Sequence, residues 1–193
     1  ENLSDTIQKE FIYALPIRAG SSDIIISEIF PDPSPSVGLP ESEFVEIHNR
    51  SEKAINVLNW TITDGTSVSL LPDMVFLPRD YLVLASENID HLDYENALYL
   101  KDFPSLNNSN DVLVIKNEAG QTIDSVNYTQ TWYRDSDKVD GGWTLEIIDP
   151  ENICSEQDNW SASEAIEGGT PGIKNSILAN KPDLTGPRLL SAI

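Results

Sequence analysis

Short apolar runs, many alternating with polar residues and each closed by Gly, Pro, Asn or Asp, make up most of this chain. Nine of them predict strands: Asp23–Phe30, Glu43–Asn49, Trp60–Asp64, Ser67–Leu71, Asp80–Ala85, Ala97–Leu100, Asp111–Lys116, Gln121–Tyr128 and Trp143–Ile148. Their Ile, Val, Leu, Thr and aromatic residues suit a pleated surface. Alternation assigns the faces. Val45 and Ile47 share one face of their run. Trp143, Leu145 and Ile147 share another, with Thr144 and Glu146 opposite. Asp23–Phe30 is apolar on both faces, which predicts a central strand.

The punctuation is as informative. Pro31, Pro33, Pro35 and Pro40 around Gly38 predict a long irregular loop after the first strand. Asn117 to Gly120 reads as a hairpin loop, with Gly supplying a positive φ. Only Ser86–Asn96 looks helical, through Ile89, Leu92 and Tyr94. Many short strands, frequent turns and almost no helix predict an all-β, antiparallel β-sandwich. The ends read differently. Residues 1–21, with a strand-like run at Lys9–Leu15, predict the end of a preceding domain or an added edge strand plus linker. Residues 177–193 predict a linker and the start of a following domain.

Charge narrows the partners. The 193 residues hold 32 Asp and Glu against 12 Lys and Arg, a net charge of −20. Such a surface repels nucleic acid, so this domain alone should bind none. It suits the solubility of an exported protein. No apolar run approaches a membrane span, so no membrane insertion is expected. The one cysteine, Cys154, excludes an internal disulfide and a Cys-rich zinc site. It reads either as a small, partly buried side chain or as a bridge to a cysteine elsewhere, in an oxidising compartment.

Several landmarks resemble one family. Asp23-Ile-Ile-Ile-Ser-Glu-Ile29, Glu43-Phe-Val-Glu-Ile-His-Asn49, Leu58-Asn-Trp60 and Tyr81-Leu-Val-Leu84 resemble the successive strands of bacterial lamin-tail domains. Gly141-Gly-Trp-Thr-Leu-Glu146, Asn159-Trp-Ser161 and Gly168-Gly-Thr-Pro-Gly172 resemble that family's closing signature, in the same order. The resemblance covers about residues 22–176. It implies an immunoglobulin-like sandwich that serves as an accessory module of exported multidomain proteins, with no general catalytic residues. The flanks are similar to neighbouring bacterial Ig-like repeats.

Structural roles follow from residue type. Trp60, Trp143 and Trp160 can each fill space between two sheets. Gly168, Gly169 and Gly172 around Pro171 permit a tight wrap at the close. Glu28, Glu46 and Glu146 lie within strands, where carboxylates are uncommon. They are expected to accept hydrogen bonds from loop backbone or from Asn159.

Candidate chemistry is sparse. His48 and His91 are the only histidines, and no Gly-x-Ser-x-Gly elbow or phosphate loop is present. An enzyme is therefore not expected. Asp135, Asp137 and Asp140 offer a loose calcium loop, although the EF-hand register fails at Val139 and Asp140; a solvated acidic turn is the alternative. Tyr128, Trp132 and Tyr133 are candidate ligand-binding aromatics, with packing onto the core as the alternative. The expected function is domain spacing or protein and surface binding outside the cell, at its surface or in the periplasm. Partners would be neighbouring domains of the same chain, or a protein or glycan at the cell surface. The alternative is a carbohydrate- or cell-surface-binding module, calcium-stabilised or with no cofactor.

Overall fold

The computed structural model describes residues 17–89, 94 and 96–184. Among these, twelve strands form: β1 (Ile24–Phe30), β2 (Phe44–Asn49), β3 (Ile55–Asn56), β4 (Thr61–Thr63), β5 (Val68–Leu70), β6 (Val75–Phe76), β7 (Tyr81–Ser86), β8 (Ala97–Leu100), β9 (Asn110–Lys116), β10 (Thr122–Thr129), β11 (Leu145–Ile147) and β12 (Trp160–Ala162). A six-stranded sheet runs β12-β11-β1-β2-β7-β8, and a four-stranded sheet runs β10-β9-β4-β5. β3 and β6 form a separate two-stranded ribbon. This is an all-β sandwich, as the alternation predicts, and an immunoglobulin-like one, as the family resemblance implies.

Nine strands match the nine predicted runs; β3, β6 and β12 do not appear among them. Two or three residues carry too little periodicity to be seen. One pairing departs from the antiparallel expectation. β8 runs parallel to β7, with Val83 opposite Ala97 and Ser86 opposite Leu100. The helix expected over Ser86–Asn96 is not formed in the described part of that segment: Ser86 ends β7, and Glu87, Asn88, Tyr94 and Asn96 are not helical. Ile89 and Tyr94 instead pack onto Phe30 and Phe44 as a lid over one sheet face. His91, the run Lys9–Leu15 and residues 188–193 lie outside the described residues.

The main core lies between the sheets. Ile29, Val45, Leu84 and Leu145 occupy one cross-strand row of the larger sheet and face inward. Leu113, Ile115, Val126 and Tyr128 meet them from the smaller sheet, with Trp60 between. The predicted central strand is β1, buried on both faces. Its outer face is covered because Phe30, Phe44, Val83 and Ala85 form a second apolar cluster, closed by Leu39 from the Pro-rich loop.

Candidate functional site

The outer face of the larger sheet carries an unusual row. Glu28 on β1 lies in register with Glu146 on β11 and with Glu46 on β2. All three are fully buried at 0% exposure. A β-bulge at Ser27 sets this arrangement: the extra residue turns its hydroxyl onto Glu46 Oε1 at 2.6 Å.

The row is roofed by a strap, residues 168–181, that has no strand of its own. An irregular segment needs partners for its N–H groups when it is buried. The glutamates supply them. Glu28 Oε1 accepts from Thr170 N at 2.8 Å and from Thr144 Oγ1 at 2.6 Å. Glu46 Oε2 accepts from Gly172 N at 2.7 Å. Glu146 accepts from Thr170 Oγ1 at 2.9 Å, Ser176 Oγ at 2.8 Å and Ile177 N at 3.2 Å. The loop-backbone role expected of these carboxylates is thus what the geometry shows.

Asn159 plays a different part from the one expected. It bonds Asp149 and Asn152, at 2.7 to 3.0 Å, and none of the glutamates. Its amide matches the turn at residues 149–152 because side-chain amides mimic a peptide group. The strap also runs past the boundary expected at residue 176: Ala179 N reaches Ile148 O and Lys181 N reaches Asp149 Oδ2.

Two strap glycines are dictated by space and angle. A Cβ on Gly169 would lie 2.7 Å from Glu28 Oε1 and 2.6 Å from Thr144 Cγ2, so only hydrogen fits. Gly172, after Pro171, sits at φ 83°, where L-residues are strained. Gly169→Ala is expected to destabilise the fold by about 1–3 kcal/mol through overpacking. Urea denaturation checks this, and an unchanged midpoint would show that the strap is not clamped on the row.

The electrostatics of the row are uniform in sign. Among the described residues no Lys or Arg bonds to any of the three carboxyls. Burial, and then the Glu146 charge, push Glu28 up to about 8. Burial, and then the Glu28 charge, push Glu46 well above the ordinary carboxyl value. Glu28 Oε2 is buried without a hydrogen-bond partner, a costly place for a bare negative charge. Glu28 therefore tends to keep its proton at neutral pH, and Glu46 is shifted in the same direction.

The remaining predicted site residues are placed as follows. Tyr128, Trp132 and Tyr133 are buried at 0%, 6% and 3%, so they do not form an exposed aromatic platform. Tyr128 continues the inward face of β10 after Val126, and its hydroxyl donates to Asn107 O at 2.8 Å. A 3₁₀ turn at Gln130–Tyr133 tucks the other two under the sheet ends. Trp132 packs on Trp160 at 5.9 Å between ring centres, and Tyr133 donates to Trp143 O at 3.0 Å.

Trp60 and Trp160 fill core positions as expected, whereas Trp143 lies half-buried at the rim under the Lys138 ammonium, 4.4 Å from its ring centre. Cys154 is exposed and free rather than partly buried. His48 is buried; its Nδ1 donates to Asp80 O at 3.0 Å and its ring stacks on Tyr81 at 4.2 Å. Burial holds its pKa below the usual imidazole value.

The calcium loop is not assembled. Among the described residues no group of three or more His, Cys, Asp or Glu is arranged to hold a metal ion. Asp135 instead caps its own turn, taking Asp137 N at 2.9 Å, while the Lys138 ammonium reaches Ser163 O at 2.6 Å. The turn holding Asp135, Asp137 and Asp140 is thus closed by its own side chain, and its lysine points away to Ser163 and Trp143. Millimolar calcium or a chelator should leave the melting temperature unchanged, since only a ligand that favours the folded state raises it. A calcium-dependent rise abolished by Asp137→Asn would contradict this.

Two concave regions border these residues. A groove of about 870 Å³ lies between the His48–Tyr81 stack with Arg79 on one side and Cys154, Lys174 and Pro182 on the other. A narrower cleft of about 200 Å³ runs beside β10, walled by Trp132, Ile147, Ile153 and Trp160.

A family model described as Lamin Tail Domain matches residues 18–130, more than half of the chain. This chain belongs to the lamin tail domain family. The matched span ends just after β10, so the closing signature at residues 141–172 lies beyond it. In this lamin tail domain those later residues complete the larger sheet through β11 and β12 and provide the strap. No curated protein matches the chain. No helix among the described residues is long and apolar enough to cross a membrane.

Sequence reasoning did not single out Thr144, Thr170 and Ser176, the hydroxyls that engage the glutamates. Their signal is weak, because Thr and Ser beside Gly and Pro read first as turn residues.

Proposed function

We propose that this lamin tail domain is a non-catalytic interaction and spacing module of a longer exported polypeptide. The observation that carries the proposal is the fate of its buried glutamates. Carboxylates with raised pKa values are the usual raw material of acid–base catalysis. Here they lie under the strap, and five of its donors, Thr170 N and Oγ1, Gly172 N, Ser176 Oγ and Ile177 N, occupy them. Perturbed groups placed this way build structure and leave no room for a reacting atom. The strong net negative charge favours solubility outside the cell and contact with cationic partners.

The 193-residue chain, assayed on nucleic acid, phosphoester and glycoside substrates with magnesium or calcium, should show no turnover. Metal-dependent turnover lost on a single Asp or Glu substitution would overturn the proposal.

A further inference from the structure

We propose that the free edge of β10 is a docking strand for an extended, cationic segment of a partner protein. This rests on the interaction reading above and names the surface and the chemistry of its partner.

Four strands end the two large sheets: β12, β8, β5 and β10. Three of them are short, with three residues in β12, four in β8 and three in β5. Short edges are one way in which sheets avoid unwanted pairing. β10 is different, with eight residues, Thr122–Thr129, and neither Pro nor Lys among them; its one irregularity, at Ile123, lies at the start of the strand.

The register shows which of its peptide groups are free. Tyr128 pairs with Asp111 and Val126 with Leu113, and the ladder continues with Gln130 N bonded to Ser109 O at 2.7 Å. In an antiparallel pair the hydrogen-bonded residues alternate. The residues between, Ser125, Asn127 and Thr129, therefore turn their N–H and C=O groups away from β9. No other backbone group among the described residues bonds to them. At the start of the strand the edge is already taken: Ser22 N bonds Ile123 O, Ile26 N bonds Asp124 Oδ2, and the Ser125 N–H turns to the Asp124 carboxyl. The open stretch is thus residues 125–129, about 17 Å of strand.

This stretch borders the narrow cleft. A strand added there would point alternate side chains between Trp132, Ile147, Ile153 and Trp160. The charged residues lining the cleft are Asp124 and Glu156, both acidic, on a chain of net charge −20. Glu156 stands on the far wall at φ 37°, a strained backbone of the kind that persists at binding sites. A second copy of this chain would bring like charge to the same place. An extended segment with apolar residues at every second position and Lys or Arg among the rest matches both the cleft and its sign.

Selection of a random twelve-residue peptide library against the folded 193-residue chain tests this. Enriched peptides should alternate apolar residues, carry Lys or Arg, and slow hydrogen exchange at the N–H groups of Asn127 and Thr129. Their affinity should fall at least tenfold against Asn127→Pro, which removes an outward N–H and leaves the β9 ladder intact. It should fall likewise against Asn127→Lys, which keeps the backbone and guards the edge with charge. Alternate N-methylation of the peptide should abolish binding. Enriched peptides indifferent to both variants would overturn the edge proposal and leave the interaction reading standing. A selection that enriches nothing would overturn both.

Discussion

The melting temperature of this lamin tail domain is expected to fall as pH rises from about 5 to about 8, and Glu28→Gln is expected to flatten that slope. The sign follows from the direction of the shift. Glu28 titrates at about 8 in the fold against an ordinary value of 4.5, so between those limits the folded state holds a proton that the unfolded chain has released. Protonation therefore favours the fold fully below the unfolded value. The advantage is lost progressively as pH rises through the folded value, at about 1.4 kcal/mol per pH unit for one retained proton. Glu46, raised for the same reasons of burial and a neighbouring carboxylate, acts in the same direction. General repulsion in a chain of −20 also grows with pH, which is why the isosteric variant is needed. Gln keeps a carbonyl for Thr170 N and Thr144 Oγ1 while removing the titration. Thermal melts of both proteins across the range give the measurement. Parallel slopes would show that the row does not hold the proton.

Trp60→Ala should destabilise the sandwich by about 3–5 kcal/mol. Trp60 is 2% exposed and among the largest fully enclosed side chains in the core between the sheets. Its backbone also anchors the entry to β4, since its N–H donates to Val57 O at 3.0 Å and its carbonyl accepts from Leu71 N at 2.8 Å. The substitution leaves those bonds in place and empties the volume of an indole. Domains of this size are stable by roughly 5–15 kcal/mol, so the loss takes a large share of the total. Trp60→Phe, which keeps a ring in the space, should lose much less. Urea denaturation of both variants would show it; a loss under about 1 kcal/mol for Ala would mean the indole does not seal the core.

The candidate site was partly legible before the fold was known. Glu28, Glu46 and Glu146 stood out because carboxylates are rare in strands that are otherwise apolar, and that rarity signals a buried acceptor. Their alignment into one row was not legible, because it depends on β11 and β2 flanking β1 and on a bulge at Ser27. The aromatics illustrate the opposite error. Tyr128 follows Val126 by two residues, so strand alternation already placed it inside. Trp132 and Tyr133 looked like loop residues, and only the 3₁₀ turn after β10 directs them under the sheet. The acidic loop failed for a related reason: three carboxylates close in sequence need not converge in space, and Asp135 is turned to the backbone N–H of Asp137 instead.

By itself, the order of residues determined that this chain folds into strands, which strand is central, and that acid dominates its surface. Those properties are local or additive, set by side-chain alternation, turn chemistry and charge count. Tertiary structure alone decided that the outer sheet face is sealed by a strap, that β10 ends its sheet with no further strand paired to it among the described residues, and that the three glutamates align in one row. Each of these depends on pairing and covering between segments distant in sequence, as when Gly172 N meets Glu46 across 126 positions. No local pattern encodes such a meeting; burial and the demand of every enclosed N–H for an acceptor select it.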